Sequence, residues 1–196
     1  MREFTEQELV RREKLKNIKN PYPERFEVNT EIGDAKELPD ETKDIKVAGR
    51  IVLMRKMGKM SFLTIGDITG RIQISVKMDM IGEEAYQEFK QNFDLGDFIG
   101  VEGEVFTTHT GEKTIRASQI TFLGKALKPL PEKFHGLEDQ ELIYRERYVD
   151  LIMNEDEKKK FLFRSAFIRE VRTYLNEKGV ALVAFGADCT PILLFD

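Results

Sequence analysis

The hydrophobic rhythm of this chain changes twice along its length. Residues 5–19 are largely polar and contain no Gly or Pro, and Thr5 and Glu8 have the spacing of a capping box, so they predict a helix. The run Asn20-Pro21-Tyr22-Pro23 stops it, because proline lacks an amide donor and restricts the residue before it. From Ile45 the period drops to two. In a first strand Val47, Gly49, Ile51 and Leu53 fall on one face, with Gly49 allowing a sharp bend. A second strand covers 60–65 and is closed by Gly66 and Asp67; a third, Arg71–Lys77, alternates Ile72, Ile74 and Val76 with Arg71, Gln73, Ser75 and Lys77. Ala85, Tyr86 and Phe89 then recur at helical spacing within 83–93. A fourth strand at 97–107, with Gly100 and Gly103 as bulge or bend positions, and a fifth at 114–122 flank a tight turn at Thr110-Gly111-Glu112. Beyond Leu123 a connector carries Pro129 and Pro131, and 155–178 predicts one long helix. Phe167, Ile168, Val171, Tyr174 and Leu175 form its apolar stripe, and Gly179 is its stop.

Three strands, a helix and two more strands, bent by glycines, are the order expected of an OB-type barrel. An SH3-like barrel is the rival and would normally lack the helix between the third and fourth strands. The predicted fold is mainly β with flanking helices: a five-stranded OB-fold barrel with an N-terminal helix and a long C-terminal helix. The expected organisation is an N-terminal helix and acidic connector at 1–44, the barrel at 45–125, a linker at 126–154, and a segment at 155–196 made of the long helix and a short apolar tail.

Charge sharpens this picture. The net charge of -4 over 196 residues argues against a generally basic nucleic-acid binder. The charge is segregated, however. Residues 27–44 hold seven acidic residues and two lysines, whereas 46–77 holds Lys46, Arg50, Arg55, Lys56, Lys59, Arg71 and Lys77 against Asp67 alone. A basic segment inside an acidic protein suits a selective polyanion site, or a solvated face whose charges happen to cluster. Cys189 is the only cysteine, which excludes an intramolecular disulfide and a CxxC motif and points to the cytoplasm. No apolar run approaches the roughly 20 residues of a membrane span, and the charged N-terminus lacks a signal-peptide core, so no membrane partner is expected.

With Leu63 and Ile65 on the buried face of the second strand, Phe62 and Thr64 point outward, as does Gln73 on the third. That face, with the loops between strands one and two and between four and five, is where OB-folds hold oligonucleotides. An outward aromatic offers a stacking surface and an outward amide reads a base edge. The first loop supplies Arg55, Lys56 and Lys59, and the second His109, Thr110 and Glu112. Catalytic signals are lacking. His109 and His135 have no metal-ligand partner at useful spacing and read as surface residues. Ser61, Ser75, Ser118 and Ser165 lie in no nucleophile elbow, Cys189 has no base partner, and the glycines at 58, 66, 70 and 82 match no phosphate loop.

Several runs are recognisable together. Asn20-Pro21-Tyr22-Pro23, Gly49-Arg50, Met57-Gly58-Lys59-Met60-Ser61-Phe62 and Gly70-Arg71-Ile72-Gln73 are joined by Leu130-Pro131-Glu132-Lys133-Phe134-His135-Gly136-Leu137-Glu138-Asp139-Gln140-Glu141 and Tyr144-Arg145-Glu146-Arg147-Tyr148-Val149-Asp150-Leu151. Over 1–179 they resemble the N-terminal region of bacterial-type lysyl-tRNA synthetases, class II aminoacyl-tRNA synthetases. The resemblance implies that Phe62 stacks on an anticodon uracil, that Gln73 hydrogen-bonds its edge, and that Arg55 and Glu112 are further anticodon-side positions. With Lys59 these make the expected RNA-binding set. The implied partner is the anticodon of tRNA(Lys). For the full-length family it also implies lysine activation with ATP and Mg2+, transfer to tRNA, and a homodimer.

After Gly179 the sequence departs from the family. Ala181 to Cys189 does not resemble the expected interface strand, and motifs 2 and 3 have no counterpart in it. On this reading 155–196 is a truncated start of the catalytic domain, with no cofactor of its own, no activity alone and a poorly anchored tail. Two other readings stay open: a stand-alone OB-fold binder of single strands, and a regulatory fragment that pairs with a full-length synthetase through the helix at 155–178.

Overall fold

The structure is a computed structural model that describes residues 3–130 and 140–180. The chain divides into two compact units, Met1–Leu130 and Pro131–Asp196.

In the first unit α1 (Glu6–Lys16) starts at the predicted capping box. The Thr5 hydroxyl accepts from the Glu8 amide at 3.3 Å, and the Glu8 carboxylate accepts from the Thr5 amide at 2.8 Å. The acidic connector is more structured than its composition suggested. It carries α2 (Ile32–Glu37), whose Ile32 and Ala35 are fully buried in the barrel core.

Then follow β1 (Ile45–Met57), β2 (Met60–Gly66), β3 (Arg71–Lys77), the single turn α3 (Met78–Ile81), α4 (Glu83–Asn92), β4 (Phe98–Thr107) and β5 (Lys113–Gly124). The strands close into a barrel in the order β1-β2-β3-β5-β4, with β3 and β5 parallel and every other pair antiparallel. This is the OB-type architecture expected from the strand and helix order. Inward positions are mostly β-branched, among them Val47, Ile51, Ile65, Ile72, Ile74, Val76, Ile99, Val101, Val105 and Ile115, as suits a pleated surface buried on one side. Of the predicted face of α4, Tyr86 and Phe89 are buried while Ala85 is exposed. Phe93 and Phe122 extend the row, with ring centroids 6.1, 5.4 and 5.1 Å apart along Tyr86–Phe89–Phe93–Phe122.

Two glycines carry the closure. A Cβ on Gly49 would lie 2.9 Å from the Ile32 Cδ1, so its lack of a side chain lets α2 sit against β1. At Gly103 a Cβ would lie 2.1 Å from the Arg116 carbonyl oxygen, where the β4–β5 register shifts between Glu102 and Gly103. The bend in β1 falls two residues beyond its expected place. A register shift between Ile51 and Leu53 inverts the strand's phase. Leu53, expected on the buried face with Ile51, therefore faces outward, and Met54 packs against the core instead.

Where β4 begins and β5 stops, a charged cluster ties the barrel to α1. The Lys125 ammonium donates to the Asn92 carbonyl at 2.5 Å, to Asp94 at 2.7 Å and to Asp97 at 2.8 Å. Lys14 donates to the other Asp94 oxygen at 2.6 Å, and Arg11 donates to the carbonyls of Leu95 and Ala126.

In the second unit, α5 (Gln140–Arg145) and α6 (Arg147–Met153) occupy what the sequence presented as linker, and α7 (Glu155–Glu177) is the predicted long helix. The Asn154 side chain caps α7 by accepting from the Glu157 amide, and Gly179 at φ 70° ends it. Among the described residues no side chain of α7 is buried, and Phe163, Phe167 and Tyr174 are exposed. The expectation of a poorly anchored tail falls on 181–196, outside the described residues, as does His135.

Candidate nucleic-acid interface

The barrel's outer face is set by strand parity. On β2, Ser61, Leu63 and Ile65 point in, which leaves Phe62 and Thr64 outside. On β3, Ile72, Ile74 and Val76 point in, which leaves Gln73, Ser75 and Lys77 outside. The bulge then brings Leu53, Arg55 and Met57 of β1 to the same side. Register aligns these positions across strands: Arg55 lies opposite Phe62, Phe62 opposite Ser75, and Thr64 opposite Gln73. Phe62 and Gln73 are thus diagonal neighbours, about 7–8 Å apart by ordinary sheet geometry.

Above this face lies a groove of about 980 Å³. Its far wall is the β4–β5 turn, closed by its own hydrogen bonds. The Thr108 hydroxyl accepts from the Glu112 amide at 3.0 Å and lies 3.0 Å from the Thr110 hydroxyl, and the Gly111 amide donates to the Thr108 carbonyl at 2.9 Å. The groove brings together four of the five residues expected from the sequence: Arg55, Phe62, Gln73 and Glu112. Lys59 stands apart. It occupies the two-residue turn between β1 and β2, beside Gly58 at φ 48°, and does not line the groove.

Several lining residues escaped the sequence reading. Leu53 was hidden by the bulge, whereas His109, expected in the loop beside the binding face but with a simple surface role, stands at the rim. Phe106 and Arg116 also line the groove, with the Arg116 guanidinium 4.6 Å from the Phe106 ring centroid and paired with Glu104. The alternation of the polar Thr114 and Arg116 with the apolar Ile115 and Ala117 was the available signal for Arg116.

The basic segment does not act as one patch. Lys46 pairs with Glu102 at 2.8 Å, and Arg50 lies 4.1 Å from the Phe98 ring centroid and donates to the Gly96 carbonyl. Lys56 turns away from the groove and donates to the carbonyls of Lys90 and Phe93 at the C-terminal end of α4, where a cation complements the helix dipole. Burial lowers the Lys56 ammonium from its ordinary value. Asp67, the acid in this segment, is engaged by its own turn: it accepts from Thr69 and from the Gly70 amide. Burial pushes its carboxyl up, but these hydrogen bonds prevail and hold it below the usual range. Arg55 and Lys77 are therefore the cations that line the groove without an ion pair among the described residues.

The groove thus offers an aromatic face, an amide edge, hydroxyls, two open cations and one carboxylate. That set suits stacking on bases, hydrogen bonding to their edges and attraction of a phosphate backbone. Among the described residues no group of three or more His, Cys, Asp or Glu could hold a metal ion, and no helix is long and apolar enough to cross a membrane.

Residues 45–123, the barrel itself, match the tRNA anti-codon family model, described as an OB-fold nucleic acid binding domain. Along 98% of its length the chain is 45% identical to a lysine–tRNA ligase of Streptococcus pneumoniae and 45% identical to one of Thermosipho melanesiensis, covering 40% and 39% of those proteins. It is 46% identical to a lysine–tRNA ligase of Lysinibacillus sphaericus over 90% of its length, covering 38% of that protein. The chain thus spans about 40% of the length of the curated relatives it matches. Along almost its whole length the chain is thus a homologue of part of the lysine–tRNA ligases, and its barrel is an OB-fold nucleic acid binding domain.

Proposed function

We propose that the groove over β1, β2 and β3 binds the anticodon loop of a lysine tRNA, with Phe62 stacking on a uracil, Gln73 reading that base's edge, and Arg55 and Glu112 contacting the neighbouring part of the loop. The observation that carries this reading is the convergence of Phe62 and Gln73 on one outward face, lining one groove with Arg55 and Glu112, in a barrel of nucleic-acid-binding type. Each residue's chemistry suits its role. A phenyl ring stacks on any base, whereas a side-chain amide distinguishes bases by where they present donors and acceptors.

The reading extends to a cytosolic protein whose full-length relatives are ligases of lysine and tRNA, as their names state. Lysine activation with ATP and Mg2+, and pairing of two chains, belong to it as proposals. Pairing is supported by the exposed Phe163, Phe167 and Tyr174 of α7, an apolar surface that another chain would cover.

The test is a titration of the chain with a fluorescent RNA stem-loop carrying a UUU anticodon and with single-base variants of it. Phe62→Ala is expected to weaken binding of every loop by about 1–3 kcal/mol, the value of one base–aromatic stack. Gln73→Ala is expected chiefly to reduce discrimination between uracil and cytosine at one position. Equal and small effects from both would refute the assignment. A preference for length over anticodon sequence would instead favour a general single-strand binder.

A further inference from the structure

The outer face of the barrel carries one row that crosses all five strands. Arg55 lies opposite Phe62, Phe62 opposite Ser75, Ser75 opposite Arg116, and Arg116 opposite Glu104. Ser75, only 1% exposed, is the low point between Phe62 and Arg116. The Arg116 guanidinium lies over the Phe106 ring, 4.6 Å from its centroid, and is held by an ion pair with Glu104. A third of its side chain, 33%, remains exposed, and it lines the groove.

We infer that Arg116, fixed over Phe106, is a second stacking platform, which takes a neighbouring base splayed away from the one on Phe62. This rests on the nucleic-acid reading of the groove and adds a residue to it. Three features point to stacking rather than to a phosphate contact. The Arg116 charge is already answered by Glu104, so it adds little net attraction for a phosphate. The ring and the carboxylate fix the guanidinium plane, so little freedom is lost on binding. Spacing is the third feature. Arg116 lies two strands from Phe62, about 10 Å at ordinary strand separation. Consecutive stacked nucleotides rise only about 3.4 Å, so two platforms so far apart serve two unstacked bases of a loop, as guanidinium and aromatic planes do in single-stranded RNA recognition.

The experiment compares the full chain with its Arg116→Ala, Arg116→Lys and Phe62→Ala variants, titrated at several salt concentrations with a UUU-anticodon stem-loop. 2-Aminopurine placed at each loop position in turn reports stacking. Arg116→Lys preserves the pairing with Glu104 and removes only the plane, so it guards against loss of folding. Both Arg116 variants are expected to weaken binding roughly ten-fold or more, the scale of one stack, with the salt slope unchanged. One 2-aminopurine position, different from the one that responds to Phe62→Ala, should lose its quenching. Wild-type binding by Arg116→Lys, or a fall of about 0.7 in the log-log salt slope with Arg116→Ala, would make Arg116 a phosphate contact and overturn the inference. Unaffected Arg116 variants alongside a weakened Phe62→Ala would overturn it while leaving the groove reading in place. If Phe62→Ala were also without effect, both would fall.

Discussion

The two ends of the β4–β5 hairpin use charge in opposite ways. At one end Asp97 and Lys125 flank the strands, and with Asp94 and Lys14 they consume one another's charge, with the Lys125 side chain 1% exposed and that of Asp97 0%. At the other end the Thr108–Glu112 turn is held by hydroxyls and amides; Lys113 beside it pairs with Asp40 at 2.6 Å, while the Glu112 carboxylate faces the groove without an ion pair among the described residues. The first end holds the fold together, and the second offers itself to a ligand. Both are rich in ionisable residues, so the count of charges does not tell them apart; what does is whether each charge has a partner within the chain.

The sharpest way to break this comparison is at Lys125. Removing one member of a buried ion pair leaves its partners uncompensated, which costs about 3–5 kcal/mol. Lys125→Met should therefore lower the unfolding free energy by that amount in a urea titration, while the molecules that remain folded bind RNA normally. A cost below about 1 kcal/mol would mean that apolar packing, not charge, holds the closed end.

Acid should act on the same end, more gently. Burial raises the Asp94 carboxyl, but the hydrogen bonds from Lys125 and Lys14 outweigh it and hold it below its ordinary value. A carboxyl depressed in the folded state stabilises the protein above its unfolded value, about 3.9, and that stability is lost as pH falls through the folded value. The wild type should accordingly lose more stability between pH 7 and pH 3 than Asp94→Asn does, the variant being less stable at pH 7. Parallel losses would show that Asp94 is not a source of the acid sensitivity.

The two ends also differed in how far they could be read from the sequence. Strand periodicity placed Phe62 and Gln73 outward without help from the fold, because an alternating strand fixes which side chains share a face. It failed for Leu53, because a bulge is a one-residue slip that alternation alone does not reveal. The acidic connector was read by composition as a spacer, whereas Ile32 and Ala35 within it are core residues. Val28, Ile32, Ala35 and Leu38 do recur at helical spacing, but α2 is only six residues long, shorter than the window over which a helical period is read. The basic segment misled in the other direction. Lys46, Arg50 and Lys56 look like a polyanion site in sequence, yet their partners Glu102, Phe98 and the carbonyls of α4 are distant along the chain and become visible only in the fold.

The smallest expected effect tests this sorting of cations directly. Lys56, Lys59 and Lys77 are chemically identical, and the structure gives them different surroundings. The Lys56 ammonium is fixed by two carbonyls of the barrel's own helix end, Lys59 sits in the hairpin turn outside the groove, and Lys77 lines the groove without an ion pair among the described residues. A lysine that neutralises one phosphate of a single strand contributes about 0.7 to the slope of log affinity against log salt, because binding releases a condensed counterion. Lys77→Ala should thus flatten the slope for the UUU stem-loop by about that amount. Lys56→Ala should leave the slope unchanged and lower thermal stability instead, and Lys59→Ala should flatten it by clearly less than Lys77→Ala. Equal flattening by all three would mean that the RNA responds to the net charge of the segment, and the distinction between engaged and open cations would lose its bearing on binding.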